Sequence, residues 1–172
     1  MKEHIDVLAN AKEILEAVKT GVLLVTKDGE KVNAMTISWG ALGIDWRHPT
    51  FTTYVRESRF TKGILDKTGV FNIAIGAGED AKKVLGVCGS KSGRDMDKVK
   101  ECGLTLVDGE VTGVPAIEEF PLTLECKVVF KELKDPMAMT AANREQFYPE
   151  TDGKRDNHII YEGEIVAAYR VK

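Results

Sequence analysis

A β-hairpin near the start of the chain is the feature that most constrains the fold. Residues 22–26 are apolar and predict a strand, residues 27–30 (KDGE) have the chemistry of a turn, and residues 31–39 predict the returning strand. Helical patterns are inserted between further predicted strands, without strict alternation, and those strands are at residues 51–55, 70–75, 105–107, 122–133 and 162–172. This order favours a mainly β fold, an antiparallel β-barrel with inserted helices. A doubly wound sheet would need a glycine-rich fingerprint between its first strand and helix, which the chain lacks.

The helical patterns are short. Apolar residues recur at helical spacing over residues 5–19, and Gly21 follows as a C-terminal stop. Shorter helical patterns are predicted at residues 79–87 and 97–101, and loops at residues 43–49 and 88–95. Residues 134–157 are mostly polar and contain two prolines, which predicts a helical excursion or an irregular loop.

Length and composition predict one domain over residues 1–172. The formal net charge of -3 gives no overall basic field, so we expect neither nucleic acid nor a membrane as a partner, and any anion site has to be local. No apolar run could span a bilayer and the first residues lack the pattern of a signal peptide, so we expect a cytoplasmic protein. Three cysteines without paired spacing argue against a disulfide framework and a zinc site, and we predict no metal site.

Residues 56–61 (RESRFT) predict a helix start that could hold an anion. Ser58 has the residue type of an N-cap, apolar residues follow at helical spacing from Arg59 to Lys67, and Gly69 supplies a stop. The unpaired N–H groups and partial positive charge of a helix start attract anions, and Arg56 and Arg59 would add charge-assisted hydrogen bonds. The alternative is a capped surface helix with two solvated arginines.

Five motifs follow one another along the chain. They are residues 33–40 (NAMTISWG), residues 49–61, Phe71-Asn72, residues 88–98 (CGSKSGRDMDK), and His158 ahead of residues 163–166 (GEIV). In this order and spacing they resemble the flavin reductase-like family, particularly its flavoredoxin branch. The resemblance implies an FMN-binding split barrel of Greek-key type, a homodimer, and FMN held near the subunit interface.

The resemblance also implies which residues hold FMN. Those along the isoalloxazine ring and ribityl chain would be Asn33, Ala34, Met35, Thr36, Ile37 and Ser38. Those at the phosphate would be Arg56, Ser58, Arg59 and Thr61. Three more would reach the phosphate or the edge of the ring: Lys91, Ser92 and Lys98. His158 resembles a histidine that flavin reductases place beside the nicotinamide, and it is the candidate catalytic residue.

Several of these residues also have a structural interpretation. Met35 and Trp39 suit ordinary core filling, and residues 88–98 suit a solvated loop. His158 suits a surface or core histidine. Cys88 is either a redox thiol or a small buried residue.

The functional hypothesis is an FMN-dependent oxidoreductase, because bound FMN would carry the redox chemistry and the protein would supply position and electrostatics. NADH, NADPH or a reduced protein would be the donor, and free flavin, ferric iron or a redox partner protein the acceptor. Two alternatives stay open: a non-catalytic FMN-binding electron carrier, and a flavin-free binding or structural domain. Catalytic oxidation of NADH or NADPH would separate an enzyme from a carrier.

Overall fold

A computed structural model describes residues 1–172, which form ten β-strands and five α-helices. The strands are β1 (Lys2–His4), β2 (Val22–Asp28), β3 (Lys31–Ile37), β4 (Gly40–Asp45), β5 (His48–Arg56), β6 (Val70–Ile75), β7 (Leu106–Val107), β8 (Ala116–Ile117), β9 (Leu122–Leu133) and β10 (His158–Val171). The helices are α1 (Ala11–Thr20), α2 (Phe60–Thr68), α3 (Gly78–Ser90), α4 (Lys98–Glu101) and α5 (Ala141–Phe147), with a 3₁₀ turn at Pro136–Ala138. None of the helices combines the length and apolar character needed to cross a bilayer.

Eight strands form one antiparallel sheet, in the order β3-β2-β6-β9-β10-β5-β4, with β1 added beside the end of β10. The long strands β9 and β10 pair with each other at the centre. Register shifts between Glu162 and Gly163 and between Ile165 and Ala167 interrupt that pairing, the first with an extra residue in β9 and the second with an extra residue in β10. The first half of β10 pairs with β5 and its last residues pair with β1. The two edges of the sheet are β3 and β4.

The main core lies inside the curled sheet. Val22 and Leu24 of β2 belong to the same cluster of 20 buried residues as Phe51 of β5, although β2 and β5 are not neighbours in the sheet. Side chains of distant strands can meet only if the sheet curls around its inner face, as in a barrel. Ile14 and Val18 of α1 pack into this core.

A second core covers the outer face of β2 and β3. Leu23 and Val25 alternate along β2 with the residues of the main core, so they point away from the barrel. They pack with Ala34 of β3 and with Ala81 and Cys88 of α3. This packing fixes α3, and the loop that follows it, beside the edge strand β3.

The N-terminal segment differs from the predicted helix over residues 5–19, because only Ala11–Thr20 is helical. The Ile5 N–H donates to the Ala168 carbonyl and continues the pairing of β1 with β10. The Ala9 N–H donates to the Asp6 carboxylate in a turn. Leu8, which fits the helical spacing, is exposed on this turn. The start of the predicted helix was therefore wrong.

A second hairpin, β4 and β5, occupies the place of the loop predicted at residues 43–49. Its turn residues Trp46 and Arg47 have φ of 45° and 69°. A two-residue hairpin turn with the favoured twist needs positive φ at both positions, and Asn and Gly are the usual residues there. The turn was missed because neither residue type is present.

Other predicted elements agree with the structure. The hairpin of residues 22–39 is β2 and β3, and β9 has the predicted bounds, residues 122–133. The 134–157 segment is the helical excursion, since it contains α5. Two bounds are corrected: α3 extends through Ser90 into the loop predicted from residue 88, and β10 begins at His158 rather than at residue 162.

Candidate functional site

Two adjoining cavities lie at one end of the barrel, where β3, β5, β10 and the start of α2 meet. The strand cavity, about 220 Å³ in volume, is lined by Met35, Thr36, Ile37, Ser38, Trp39, Tyr54, Arg56, Arg59 and His158. The basic cavity, about 290 Å³ in volume, is lined by Asn33, Met35, Arg56, Ser58, Arg59, Phe60, Thr61, Ser90, Lys91, Ser92, Gly93, Arg94, Lys98 and Asp156. Because Met35, Arg56 and Arg59 line both, the two cavities can receive one elongated ligand.

Strand pairing assembles the walls. Arg56, the last residue of β5, lies opposite His158, the first residue of β10, in antiparallel register. Asn33 and Met35 are two residues apart on β3, so their side chains lie on the same face of this strand. Both are buried, and both line the basic cavity. The sheet therefore places β3 on one side of the site and the β5–β10 pair on the other.

The basic cavity has an excess of positive charge. Five cationic residues line it: Arg56, Arg59, Lys91, Arg94 and Lys98. None of them forms an ion pair within 4.0 Å. Asp156 is the single acidic residue in the lining. Cations crowded together without counter-charges repel one another, and an anion bound among them relieves that repulsion. The cavity is therefore suited to an anionic group.

Lys98 is the most buried of these cations, with 4% of its surface exposed. Its ammonium donates to the carbonyls of Ala34 at 2.7 Å and Cys88 at 3.1 Å, which leaves a third N–H without a protein acceptor. Burial, and to a smaller extent the charge of Arg59, lower the pKa of Lys98. A nearby anion would favour the charged form of this lysine.

Ser58, the predicted N-cap of α2, is bound to Asp156 instead. The N–H and the hydroxyl of Ser58 donate to the Asp156 carboxylate at 3.1 and 2.7 Å. Ser58 makes no cap hydrogen bond to α2, which begins after Arg59. The predicted N-cap was wrong because α2 begins one residue later, with Arg59 in the N-cap position, and the Ser58 hydroxyl donates instead to a carboxylate 98 residues further along the chain.

Arg56 ties the 134–157 excursion to the site. Its guanidinium donates to the carbonyls of Asp156 at 2.6 Å and Phe147 at 2.9 Å. Arg59 makes one such bond, to the Gly89 carbonyl at 3.1 Å. More of the Arg59 guanidinium is therefore free for a ligand than of the Arg56 guanidinium.

Asn33 contributes an unpaired acceptor to the basic cavity. Its Nδ2 donates to Thr61 Oγ1 at 2.9 Å, and its buried Oδ1 has no hydrogen-bond partner. Gly93 packs directly on this amide, and a Cβ at residue 93 would overlap Oδ1. Buried polar atoms are nearly always paired, so this oxygen is suited to accept a hydrogen bond from a ligand.

His158 stands in an aromatic cluster at the mouth of the strand cavity. Its Nδ1 and the Tyr148 hydroxyl are 2.8 Å apart, and both residues are buried. The Trp39 ring lies 5.2 Å from the His158 ring and 5.4 Å from the Phe147 ring, centroid to centroid. Burial and the charges of Arg56 and Lys134 lower the pKa of His158 to about 4, so the imidazole is neutral at pH 7.

The structure contains no group of three or more His, Cys, Asp or Glu side chains that could hold a metal ion.

The family model for the flavin reductase like domain matches residues 15–172. The chain belongs to this family. An uncharacterized protein of Archaeoglobus fulgidus is 30% identical over 122 residues, which are 71% of this chain and 67% of that protein. The crystal structure of flavoredoxin from Methanosarcina acetivorans aligns with a TM-score of 0.67 and 25% identity, over 88% of this chain and 68% of that one. The FMN-binding protein from Thermus thermophilus with bound 1-cyclohex-2-enone aligns with a TM-score of 0.64 and 25% identity, over 87% of this chain and 69% of that one.

These comparisons confirm two predictions, the resemblance to the flavin reductase-like family and the mainly β split barrel with inserted helices. The path of the sheet is open, with β3 and β4 as its two edges.

Within the flavin reductase-like fold, nearly all the predicted site residues line a cavity. The strand cavity receives Met35, Thr36, Ile37, Ser38, Arg56, Arg59 and His158. The basic cavity also receives Asn33, Ser58, Thr61, Lys91, Ser92 and Lys98. Ala34 lines neither, because alternation along β3 points its side chain into the second core, although its carbonyl accepts from Lys98.

The outcome differs among the residues that also had a structural interpretation. Met35 is both a core residue and a lining residue, whereas Trp39 is 38% exposed and is not core filling. Cys88 is fully buried, and burial together with neighbouring Cys102 raises its pKa to about 12. It is therefore protonated at neutral pH, which fits the small buried residue rather than a redox thiol.

Several residues that line or border the two cavities were not among the predicted site residues. Arg94 lies within the 88–98 motif, so its charge was a usable signal. Tyr148 and Asp156 lie in the 134–157 excursion, whose polar sequence gave no sign of which side chains return to the barrel. Both reach the site through contacts that are specific to the tertiary structure.

Proposed function

We propose that this chain binds FMN across the two cavities and acts as an FMN-dependent oxidoreductase. Electrons would pass from NADH, NADPH or a reduced protein to an acceptor. The observation that carries the proposal is the group of five cations without ion-pair partners around the basic cavity. Membership of the flavin reductase-like family supports it.

The basic cavity fits the phosphate end of FMN. A phosphate monoester carries a charge of about −1.5 to −2 at pH 7 and three strong acceptor oxygens. Arg59 and Lys98 each keep N–H groups that no protein acceptor uses. In this proposal they bind the phosphate together with Lys91, Ser92 and Arg94, and the bound dianion offsets the repulsion among the cations.

The unpaired oxygen of Asn33 fits the polyhydroxyl chain of FMN. Asn33 lines the basic cavity, and its Oδ1 is an acceptor without a partner in the protein. A ribityl hydroxyl is a donor of suitable size. In this proposal Asn33 accepts from that chain while Thr61 keeps its amide oriented through the 2.9 Å bond to Nδ2.

The strand cavity fits the ring. Met35, Ile37 and Trp39 give it apolar walls, and Thr36 fixes β3 against α3 by donating to the Leu85 carbonyl at 2.6 Å. Because β3 is an edge strand, the backbone groups on its outer side have no strand partner, and apart from the Ala34 carbonyl, which accepts from Lys98, they are available to the polar edge of a ring. Bound FMN would supply the two-electron chemistry, and these residues would hold its ring and exclude water.

The similarity to flavoredoxin favours a second candidate, an electron carrier without catalytic turnover. The similar Thermus thermophilus protein binds 1-cyclohex-2-enone, which favours turnover with a small acceptor. Steady-state oxidation of NADH and NADPH by the FMN-loaded protein separates the candidates. Turnover above the rate of free FMN supports an enzyme, and its absence with both nucleotides supports a carrier that takes electrons from a redox partner protein.

The test of FMN binding begins with the protein as purified. We expect flavin absorption bands, and chromatography of the heat-treated supernatant should identify FMN rather than FAD or riboflavin. Arg59→Ala should then raise the Kd for added FMN about ten- to a hundredfold, the range of one charge-assisted hydrogen bond. Binding of riboflavin, which has no phosphate, should hardly change.

Arg170→Ala is the matched control, because Arg170 pairs with Glu13 at 2.6 Å and lines neither cavity. It should bind FMN as the wild type does. A colourless protein that takes up no added FMN would contradict the proposal, and so would an Arg59→Ala variant with wild-type affinity.

A further inference from the structure

Tyr148 and His158 form a buried pair that the proposed cofactor site does not itself require. Tyr148 follows α5 at the end of the excursion's helix, and His158 begins β10. Tyr148 is 3% exposed and His158 is 6% exposed, and the 2.8 Å contact between the hydroxyl and Nδ1 is the one hydrogen bond of each side chain within the protein. His158 nevertheless lines the strand cavity, so its second nitrogen, Nε2, is the polar atom left for a ligand.

The contact determines which nitrogen carries the proton. Burial raises the pKa of Tyr148, so its hydroxyl keeps its hydrogen. A buried hydroxyl that donates to nothing is costly, and the acceptor within reach is Nδ1 of His158. A hydroxyl that donates to Nδ1 requires this nitrogen to be unprotonated. A neutral imidazole has one N–H, and it is then at Nε2.

The charged groups around the pair keep the imidazole neutral. Arg56 on β5, Arg59 before α2 and Lys134 after β9 all oppose a proton on His158, and Asp156 favours one. Burial and the three cations prevail. Tyr54 and Tyr148 are the remaining titratable neighbours of this group. The Lys134 ammonium lies over the Tyr54 ring, 3.7 Å from its centroid. The imidazole of His158 is thus neutral at neutral pH.

We propose that Tyr148 is a positioning residue that holds His158 in its Nε2–H form, and that this N–H donates to the carbonyl oxygen of a planar ring compound that stacks at the mouth of the strand cavity, beside the flavin ring. The inference deepens the proposed function and rests on it for the position of the redox partner. Trp39 and Phe147, each 38% exposed at the mouth, provide aromatic surfaces for such a ring. Two sources have this chemistry: the carboxamide of a nicotinamide and the carbonyl of a quinone or enone acceptor.

The tautomer is measured directly, on the protein without added flavin. The chain has three histidines, so ¹⁵N-labelled histidine gives few signals to assign. For His158 of the wild type we expect an unprotonated Nδ1 and a protonated Nε2 from about pH 6 to pH 8. Tyr148→Phe should bring proton occupancy to Nδ1. A protonated Nδ1 in the wild type would overturn the proposal.

Two substitutions of His158 separate the nitrogens by position. The His158→Gln amide can place an N–H near the former Nε2, whereas the shorter His158→Asn amide places it near Nδ1. With FMN bound, we measure flavin reduction by NADH and reoxidation by menadione separately. His158→Asn and Tyr148→Phe should slow one half-reaction about five- to tenfold, and His158→Gln about twofold at most.

The half-reaction that slows identifies the source: reduction points to the nicotinamide and reoxidation to the quinone. The matched control is Tyr169→Phe, which removes a buried hydroxyl that donates to Glu125 at 2.7 Å and lies outside both cavities. It should leave both rates unchanged. Equal rates for His158→Gln and His158→Asn would overturn the proposal. If the wild type does not bind FMN, the proposed function is wrong, but the histidine spectrum still measures the tautomer.

Discussion

Asp156 is an anion that the protein itself places beside the predicted phosphate site. Its carboxylate accepts both donors of Ser58 and lines the cavity that Arg59 and Lys98 also line. A bound phosphate would meet this negative charge at short range, where two like charges cost on the order of 1–2 kcal/mol near a protein surface. Asp156 would therefore lower the affinity of the proposed site for FMN.

We predict that Asp156→Asn binds FMN about tenfold more tightly than the wild type. The amide keeps an oxygen that accepts from Ser58, so the change removes charge with little change of shape. Fluorescence titration of FMN at low and high salt measures the effect, which should shrink as salt screens the charge. Asp152→Asn, in the same excursion but outside both cavities, is the control. Weaker binding by Asp156→Asn would show that the carboxylate supports the site.

At the scale of elements, the loop after α3 must pack tightly on β3 and α2. Gly93 lies against the Asn33 amide, and a Cβ there would be 2.9 Å from Phe60 Cδ1. We predict that Gly93→Ala loses about 1–3 kcal/mol of stability, the usual cost of overpacking, and also weakens FMN binding because Asn33 has to move. Chemical unfolding and FMN titration measure the two effects.

Gly63→Ala is the contrasting variant. Gly63 lies inside α2, and a Cβ there would contact nothing within 4 Å. Alanine should stabilise the helix by about 0.5–1 kcal/mol without changing FMN affinity. If both variants behaved alike, the cavity wall at Gly93 would not have the tight packing described above.

A charged network joins α2 to the two central strands. Asp66 of α2 accepts from Lys62, from Lys131 of β9 and from the Tyr161 hydroxyl of β10. Burial would raise the pKa of Asp66, but these hydrogen bonds outweigh it and hold the pKa far below the ordinary value of 3.8. The ionised form is therefore the one that stabilises the fold.

We predict that Asp66→Asn loses about 1–2 kcal/mol of stability at neutral pH, because the charged hydrogen bonds become neutral ones. A depressed pKa contributes stability that is full above the unfolded value and is lost as pH falls toward the folded one. The difference between wild type and variant should thus be constant above about pH 5 and shrink below the ordinary pKa of 3.8. Urea unfolding along a pH series checks this, and a constant difference down to acid pH would contradict it.

Local pattern predicted the elements whose signals are local. The hairpin at residues 22–39 has an apolar run before an Asp-Gly turn and a strand of mixed polarity after it, and β9 has apolar residues along its whole length, so both were found. The β4–β5 turn at Trp46 and Arg47 was missed because it lacks the usual residue types. Pairing of the strands on both sides holds these two residues at positive φ. The helical spacing of Ile5 and Leu8 gave a wrong helix start. The pairing of this segment with β10 outweighs the weak local preference for a helix.

The site was predictable to the same extent. Arg59, Lys98 and the β3 residues lie in contiguous motifs, and they meet because β3, α2 and the loop before α4 converge. Asp156 and Tyr148 act through partners 98 and 10 residues away, and in an excursion of polar residues nothing local selects them. The Ser58 cap was wrong because α2 begins after Arg59, one residue later than the local pattern indicates.

For the molecule as a whole, the outer surface near the second sheet edge carries an apolar patch. Ile44 and Trp46 on the β4–β5 hairpin are 57% and 58% exposed, and Val129 of β9 is 44% exposed. A shallow cavity lined by both Trp46 and Val129 shows that they lie side by side. Adjacent exposed apolar side chains on a monomer commonly mark an association surface. We therefore propose that a second copy of the chain covers this patch in a homodimer.

We predict that the wild type sediments with the mass of two chains at micromolar concentration, and that Trp46→Glu and Val129→Glu each shift it to one chain. A charge buried without a partner in the interface costs far more than the same charge on a free surface, so either change should disrupt the dimer. Leu8→Glu, at an equally exposed residue on the turn before α1, should leave the mass unchanged. Sedimentation velocity measures all four proteins. A monomeric wild type would contradict the dimer, whereas dimeric Trp46→Glu and Val129→Glu variants would place its interface on another surface.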